Sequence, residues 1–412
     1  MVLRDGGNAA DAAIATSLAL AVAYPHMCGV GGDLLAMVWV DGELIGLNSS
    51  GGLPAATAAL EGGVPQRGIA SATVPGAPAG WTALAQRFGT RSVDDLAQPA
   101  IRLAREGVKR SPGLARVTAW SAALLRNDPE ASRIFLADGP LRQPELAETL
   151  RDLDGFYRGP VAQRAPAPFS AADFASHEAE WVPAPPHASF AGTEVFEMPP
   201  NSRGHLVLDA IRRLEPIDGL GADDPELHAR LIRALRAAVF GGDTIYLCVV
   251  DGRGMAVSLN QSLFLAFGSG VVVPGTGVLL HNRAAYHTPA TYRPGARPVH
   301  TLSPAMALAG GRPRLVFGTM GGDAQIQIHL QLLARILVAG QPVDEAVAAP
   351  RWTFDRTTLL VEDGLALAAP AGMTIGPLAI PELAGHAHAI GVLPDGLEAG
   401  CDPRSDGVAV GD

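Results

Sequence analysis

Two hydroxyl side chains stand at the ends of one predicted hairpin, in the stretch GGDTIYLCVVDGRGMAVSLNQS at residues 241–262. A three-residue turn would pair Asp251 with Met255, and the same register then places Thr244 opposite Ser262. The Cβ atoms of such a pair lie roughly 4.5–5.5 Å apart. A threonine hydroxyl becomes a nucleophile when a base is next to it. Thr244 is therefore a candidate nucleophile, although threonine is also an ordinary strand residue.

The alternation of residues along this hairpin separates an apolar face from a small polar one. The apolar face comprises Ile245, Leu247, Val249, Val257 and Leu259, and the polar face comprises Thr244, Tyr246, Cys248, Ser258, Asn260 and Ser262. A register shifted by one residue would pair Thr244 with Gln261 and move Ser262 to the apolar face. The prediction of a polar pocket thus depends on the turn, in which Gly254 is expected to be left-handed.

Three glycine-rich stretches mark places where the backbone can approach another group closely: GVGG at 29–32, FGSG at 267–270 and GTMGG at 318–322. Gly321 and Gly322 follow the predicted strand RLVFG, where exposed N–H groups could form an oxyanion hole. A tight turn without a ligand explains the same spacing equally well. None of these stretches matches the phosphate-binding glycine patterns, which disfavours a nucleotide site.

The composition limits the partners of the chain. Its 412 residues include 31 basic and 41 acidic side chains, with a net charge of −10, so nucleic acid is not an expected partner. Three dispersed cysteines and the lack of a Cys/His cluster predict no disulfide framework, no metal and no other cofactor. No run reaches the roughly 20 apolar residues of a membrane span. The expectation is a cytoplasmic protein without a membrane partner, with a periplasmic or secreted location left open.

The coarse pattern predicts helices in the first half of the chain and mainly strands in the second, which favours a layered α+β fold. Apolar periodicity and end signals predict helices at 8–24, 92–107, 204–214, 224–239 and about 325–339, strands at 245–250, 255–263, 271–273 and 314–318, and a hairpin joined at Asp41-Gly42. The Pro- and Ala-rich residues 159–200 are predicted to be a surface loop.

Ten segments of the chain, in order, resemble motifs of the γ-glutamyltranspeptidase-like family of N-terminal-nucleophile hydrolases. They are GGNAADAA (6–13), YPHMCGVGGD (24–33), VPGAPAGW (74–81), MPPNSRG (198–204), the hairpin quoted above, FGSGVVVPGTGVLLHNR (267–283), RPVHTLSPAM (297–306), GTMGGDAQ (318–325), AAPRW (348–352) and DPRSDGVAVG (402–411). The resemblance implies a four-layer αββα sandwich and a proenzyme that cuts its own chain.

The resemblance also implies roles for individual residues. Thr244 corresponds to the threonine that becomes the first residue of the small subunit when the Asp243–Thr244 bond is cut. The freed α-amine, with an intrinsic pKa of about 7.7–8.0, can act as the base for the hydroxyl of the same residue. Ser262 corresponds to a second hydroxyl beside the nucleophile, and Gly321 and Gly322 correspond to the oxyanion-hole glycines.

On this resemblance, residues 1–243 are expected to form a large-subunit-like part and residues 244–412 a small-subunit-like part of one layered domain. The two parts would stay together as a heterodimer after self-cleavage, and further homo-oligomerisation is left open. The family has a longer linker before the nucleophile, whereas here AAVF runs directly into GGDT. The short linker raises the question of how the bond is cut.

The family's substrate contacts are replaced in this chain. The replacements are Ser50 for a carboxylate-binding arginine, Arg283 and Tyr286 for the glutamine and aspartate that hold an α-amino group, His300 and Thr301 for a serine pair, and Phe264 for an asparagine. Each lost charge-assisted contact is worth about 1.5–3 kcal/mol. Arg283 can still hold an acid group from another direction. The pattern is therefore more similar to the amidohydrolase and acylase members of the family.

Three functions follow as alternatives. The first is a self-processing N-terminal-threonine amide hydrolase that acts on a small amide bearing a carboxylate. The second is a true glutathione hydrolase or γ-glutamyltransferase, which the resemblance over the whole chain favours and the replaced contacts oppose. The third is a catalytically silent family member that acts as a binding protein, suggested by the short linker before Thr244.

Overall fold

Two antiparallel sheets form the centre of the computed structural model, which describes residues 1–60, 62–235, 243–355 and 357–411. The strands are β1 (Asp33–Val40), β2 (Glu43–Ser49), β3 (Glu180–Val182), β4 (His187–Phe190), β5 (Thr193–Glu197), β6 (Asp243–Val250), β7 (Ala256–Phe264), β8 (Val272–Val273), β9 (Val278–Leu279), β10 (Ala305–Ala309), β11 (Arg312–Met320), β12 (Trp352–Phe354), β13 (Thr358–Val361), β14 (Thr374–Pro377), β15 (His386–Leu393) and β16 (Gly396–Cys401). The first sheet has the order β3-β2-β1-β7-β6 and the second β16-β15-β11-β10-β5-β4.

The α-helices of the described residues lie outside the two sheets. They are α1 (Ala9–Ala23), α2 (Ala77–Phe88), α3 (Val93–Glu106), α4 (Pro112–Trp120), α5 (Ala122–Leu125), α6 (Pro129–Phe135), α7 (Pro144–Thr149), α8 (Pro160–Arg164), α9 (Ala171–Ala175), α10 (His205–Arg213), α11 (Pro225–Leu235), α12 (Ala324–Leu333) and α13 (Val343–Ala348). One apolar core joins α1, α2 and α3 to the first sheet, and another joins α10 to α13 to the second.

A third apolar core fills the space between the two sheets, with Leu35 and Met37 from the first sheet and Met306 and Val316 from the second. The sheets approach closely where Tyr246 lies over Gly318, since a Cβ atom on that glycine would be only 2.3 Å from the tyrosine ring. The order is thus helices, sheet, sheet, helices. The predicted α+β class and the αββα sandwich are confirmed.

Both predicted turns of the first sheet have the expected backbone. Asp41 and Gly42, between β1 and β2, have φ of 51° and 89°, as a two-residue hairpin turn requires. In the β6–β7 hairpin the Asp251 N–H donates to the Met255 carbonyl at 3.0 Å, and Gly254 has a φ of 88°. The predicted register holds from the turn as far as Ile245, and the predicted apolar face packs into the core beneath α1.

The prediction of a loop over residues 159–200 is wrong. This segment contains α8, α9 and the strands β3, β4 and β5. Phe190 and Val195 are buried against the second sheet's helices, and a tight turn at Ala191-Gly192 joins β4 to β5. The strands are short and prolines are frequent, so the alternation of polar and apolar residues along them is not evident from the sequence.

The second-half helices begin close to the predicted positions. The helix expected at 224–239 is seen as Pro225–Leu235, and the rest of its predicted length lies outside the described residues. The helix expected at about 325–339 is α12 continued by a π-helical segment, Ala334–Val338. Since α12 begins just after the Gly321-Gly322 turn, it connects that turn to the core of the outer layer.

Candidate active site

Thr244 is buried at the beginning of β6, where the hairpin register changes. Ile245 pairs with Gln261, but Asp243 is opposite Phe264 instead of Leu263, so the predicted direct pair between Thr244 and Ser262 is not formed. The Ser262 hydroxyl accepts the Phe264 N–H at 2.7 Å, a local contact that competes with regular strand pairing. The two hydroxyls therefore flank a strand irregularity at the same end of the hairpin.

The Thr244 hydroxyl has an amide donor from the opposite layer. Gln325, near the beginning of α12, donates from Nε2 to Thr244 Oγ1 at 3.4 Å, and its backbone N–H donates to the Gly322 carbonyl at 3.1 Å. Asn260, on the polar face of β7, donates to the Thr319 carbonyl at 3.1 Å. The Oε1 atom of Gln325 and the Oδ1 atom of Asn260 are buried without a hydrogen-bond partner among the described residues. Two polar acceptors are thus available near the candidate nucleophile.

The Gly321-Gly322 turn joins the last residue of β11 to α12. Its φ angles of 135° and 58° lie in the left-handed region, which is open to glycine and costly for other residues. Within the described part of the chain, neither N–H of this pair donates to an acceptor, while both carbonyls accept from the first turn of the helix. Two free donors are what an oxyanion hole requires.

Arg283 brings a buried guanidinium to the other side of Ser262. Its Nη1 donates to Thr301 Oγ1 at 3.1 Å and its Nη2 to Ser262 Oγ at 3.4 Å. The guanidinium carbon lies 4.3 Å from the centre of the Phe264 ring. Burial lowers the pKa of Arg283 to about 10, an effect opposed by the negative charge of Asp33. Among the side chains that the structure describes, no carboxylate lies within 4.0 Å of this guanidinium, and its described partners are hydroxyls and an aromatic face.

Phe264 and Tyr286 are in contact, with ring centres 5.5 Å apart, and Phe264 has a φ of 76°. The Tyr286 hydroxyl donates to both oxygens of Asp323 at 2.6 and 2.7 Å and accepts from Arg203 Nη1 at 2.8 Å. Arg203 also forms an ion pair of 2.6 Å with Asp323. Burial raises the pKa of Tyr286 above its usual range. Arg203 was missed by the sequence analysis, although it belongs to the quoted MPPNSRG motif.

His300 contacts Asp33, another residue that the sequence analysis did not select. The two side chains are buried, with His300 Nε2 3.0 Å from Asp33 Oδ2. Burial raises the pKa of Asp33 to about 7, and the charge of Arg283 limits that rise. Asp33 closes the YPHMCGVGGD motif and pairs with Ser262 between β1 and β7, so an acidic residue ending a glycine-rich motif was the available signal.

Ser50 lies in a small amide cluster. Its hydroxyl donates to Asn48 Oδ1 at 2.7 Å and accepts from Asn201 Nδ2 at 3.2 Å. The next residue, Gly51, donates its N–H to Asp33 at 3.3 Å. The hydroxyl of Ser50 is thus bound by two amide side chains, and only its neighbour Gly51 contacts Asp33.

The structure brings the predicted residues Thr244, Ser262, Phe264, Arg283, Tyr286, His300, Thr301, Gly321 and Gly322 to one region through the contacts above. Asp243, on the other side of the predicted cleavage point, belongs to β6, while 236–242 lie outside the described residues. In the described part of the chain, no cluster of His, Cys, Asp or Glu side chains suits a metal ion. No helix there has the length and apolar character needed to cross a bilayer.

Comparisons with known proteins show the family of this chain. The family profile described as Gamma-glutamyltranspeptidase matches residues 1–240 and 236–412. The oxamate amidohydrolase proenzyme of Klebsiella pneumoniae is 32% identical, and the glutathione hydrolase-like YwrD proenzyme of Bacillus subtilis 31%, with 100% of this chain and 95% of each relative covered. The crystal structure of cephalosporin acylase from Bacillus halodurans superposes with a TM-score of 0.90 at 29% identity, covering 98% of this chain and 91% of that one.

The alignments with the two relatives extend over 507 and 500 positions, whereas this chain has 412 residues. Both relatives therefore contain internal segments without a counterpart in this chain.

Proposed function

Because this chain belongs to the gamma-glutamyltranspeptidase family of enzymes, we propose that it is a self-processing amide hydrolase whose nucleophile is Thr244. Hydrolysis of an amide is the chemistry in the names of its relatives, and proenzyme appears in both names. The observation that carries the proposal is the buried Thr244 hydroxyl at the start of β6, connected through Gln325 to a glycine turn whose two N–H groups have no acceptor among the described residues.

In the proposed reaction, cleavage of the Asp243–Thr244 bond frees the α-amine of Thr244. This amine takes the hydroxyl proton while Oγ1 attacks the substrate carbonyl, and the N–H groups of Gly321 and Gly322 stabilise the oxyanion. The tetrahedral intermediate collapses, the substrate amine leaves with the proton, and an ester to Thr244 remains. Water activated by the same α-amine then hydrolyses the ester. The unpartnered acceptors of Asn260 and Gln325 suit the N–H donors of an ammonium group.

We assign Arg283 to a carboxylate of the substrate. A guanidinium has five N–H donors, and described residues accept from Nη1 and Nη2 through hydroxyls. A buried charge that lacks a close counter-ion is expensive, and a planar carboxylate is the group that fits this fork best. Thr301 and Ser262 orient the guanidinium, and Phe264 covers one of its faces. The favoured substrate is therefore a small amide with an acidic acyl group.

The two parts produced by cleavage would remain one heterodimer. Strands β1, β2 and β3 from residues 1–243 share the first sheet with β6 and β7 from residues 244–412. The second sheet is shared in the same way, because β5 pairs with β10. Separation of the parts would break the hydrogen bonds between these strands and expose the core between the sheets.

Denaturing electrophoresis of the purified protein tests the first step, and a panel of amides tests the second. We expect two fragments, one that ends at Asp243 and one that begins at Thr244. We also expect oxamate or glutaryl amides to be hydrolysed faster than a γ-glutamyl anilide. A chain that stays uncut and inactive would favour the silent binding protein. Preferential cleavage of the γ-glutamyl anilide would favour the glutathione hydrolase, despite the replaced contacts.

A further inference from the structure

A buried carboxylate lies behind Arg283. Asp33 pairs with Ser262 across β1 and β7, and the Ser262 hydroxyl accepts from the guanidinium. His281 lies next to both residues, since its Nδ1 atom accepts the Arg283 backbone N–H at 3.2 Å and is 3.8 Å from Asp33 Oδ2. Asp33 and Arg283 thus share one buried cluster, but among the described residues no N···O contact within 4.0 Å joins their side chains.

Both oxygens of Asp33 are engaged by neutral donors. Oδ1 accepts the N–H groups of Gly51 and Gly76 at 3.3 and 3.1 Å, and Oδ2 accepts from His300 Nε2 at 3.0 Å. His300 Nδ1 accepts the Leu302 N–H at 3.4 Å, so the hydrogen-bond network assigns the ring proton to Nε2. His300 therefore serves Asp33 as a neutral donor.

We propose that Asp33 is the internal counter-charge of Arg283 and takes up one proton from solvent when an anionic substrate binds to that guanidinium. The inference rests on the proposed function, in which Arg283 holds a substrate carboxylate. In the empty site, the negative charge of Asp33 offsets the buried positive charge. An arriving carboxylate brings a second negative charge into a region shielded from water, and protonation of Asp33 restores the balance.

The surroundings of Asp33 direct the proton to this carboxylate. The titratable groups that face it are His281 and Arg283 from the segment after β9, His300 and Arg297 from the segment before β10, and Tyr157 from the segment before α8. Burial lowers the pKa of His281 to about 3 and that of His300 well below its usual value, so both rings stay neutral. Burial also raises the pKa of Tyr157, which stays protonated.

The sign of the coupling follows from Arg283. Burial raises the pKa of Asp33 to about 7, while Arg283 pulls it down. A bound carboxylate cancels the field of Arg283 and therefore raises this pKa further. The complex then binds more protons than the free enzyme above pH 7, so the affinity for an anion weakens as the pH rises, by at most about tenfold per pH unit.

Calorimetry with the self-cleaved wild-type enzyme tests the coupling. Glutarate, which is fully ionised above pH 7, is titrated at pH 7.5 in two buffers of different ionisation enthalpy, and the neutral glutaramide serves as the control. We expect an uptake of roughly 0.5–0.8 proton with glutarate, because Asp33 is already partly protonated at this pH, and none with glutaramide. Binding of glutarate without proton uptake would overturn this inference alone. Failure of glutarate to bind would overturn the carboxylate role of Arg283 and, with it, the proposed substrate class.

Two further measurements separate Asp33 from the α-amine of Thr244, which also titrates near neutral pH. In the first, glutarate is labelled with ¹³C in its carboxyl groups, so that its own bands are shifted away from those of the protein. When this glutarate binds, the infrared difference spectrum of the wild type should gain the band of a protonated carboxyl group of the protein. In Asp33→Asn, the proton uptake should disappear and the Kd of glutarate should become independent of pH between 7 and 9. A spectrum without that band, or an Asp33→Asn variant with unchanged uptake, would assign the proton elsewhere.

Discussion

The candidate site has two halves of different construction. The neutral half consists of Thr244, Ser262, Gly321, Gly322 and Gln325. The charged half consists of Asp33, Arg283, Tyr286, His300 and Asp323. The neutral half provides hydroxyls, an amide and backbone N–H groups, whereas the charged half contains ionisable side chains removed from water.

In the proposed mechanism, this difference separates the catalytic groups from the groups that select the substrate. Attack by a hydroxyl and stabilisation of an oxyanion need accurate placement of neutral donors, which strand ends and a tight turn supply. Selection of an acidic substrate needs a buried positive charge, and loops bring Arg283 into one buried cluster with Asp33, which offsets that charge in the empty site. Changes in the neutral half should therefore affect every substrate, while changes in the charged half should affect mainly acidic ones.

The largest effect is expected from Thr244→Ala, which removes the nucleophile of the neutral half. Self-cleavage should stop, and hydrolysis of acidic and neutral amides should fall together by more than about a thousandfold. Thr244→Ser, which keeps a hydroxyl, should still be cut. Electrophoresis and intact-mass analysis measure the first effect and steady-state rates the second. A Thr244→Ala protein that is cut normally would remove Thr244 from the proposed mechanism.

A smaller and selective effect is expected from Arg283→Gln in the charged half. The kcat/KM for an oxamate or glutaryl amide should fall by roughly 10- to 150-fold, because a charge-assisted contact of about 1.5–3 kcal/mol is lost. The effect should lie mainly in KM, and a neutral amide of similar size should lose little. Arg283→Lys, which keeps the charge without the fork, should fall in between. Equal losses for acidic and neutral amides would contradict the division of the site.

Two glutamines of α12 offer a matched pair for the neutral half. Gln325→Leu removes the donor to Thr244 and should lower kcat by roughly three- to tenfold, with a small change in stability. Gln327→Leu removes two contacts of 3.0 and 2.8 Å to the backbone of Phe354, so it should lower the unfolding free energy without changing kcat in the folded fraction. Rate measurements and urea unfolding on both variants test this contrast. The reverse result would exclude Gln325 from the site.

The smallest effect concerns stability in acid at the border of the charged half. His177 lies 3.2 Å from the Ser49 hydroxyl, and burial lowers its pKa to about 4. The unfolded chain therefore binds more protons than the folded one between about pH 6.5 and 4, and stability falls as the pH decreases through that window. At pH 5.5 this single ring should cost roughly 1 kcal/mol relative to pH 7.5.

Urea unfolding at these two pH values measures the difference in the free energy of unfolding. This difference should be smaller in His177→Gln than in the wild type. An unchanged pH dependence in His177→Gln would contradict a neutral buried ring at this position.

Local sequence was enough to predict the parts that depend on backbone chemistry. The turns at Asp41-Gly42 and Gly254, the beginning of α1 at Asn8, and the register of the β6–β7 hairpin up to Ile245 all follow from short-range signals. The final step of that register failed, because the Ser262 hydroxyl takes the Phe264 N–H. A side-chain contact of this kind is invisible to strand periodicity.

The partners in the charged half could not be predicted in this way. His300 was predicted to bind substrate, and in the structure it donates to Asp33, which is 267 positions away in the sequence. Arg203 and Asp323 are 120 positions apart, yet both bind Tyr286. Such pairs depend on how the loops at the ends of two sheets meet.

The sequence by itself determined the layered α+β class, the hairpin that carries Thr244 and the family resemblance, because turn residues, strand alternation and ordered motifs act over short stretches of chain. Only the tertiary structure decided that Arg283 has no carboxylate within 4.0 Å among the described side chains and that Asp33 shares its buried cluster. The physical reason is that the protonation and pairing of a buried charge depend on every group that surrounds it, and those groups come from distant parts of the chain.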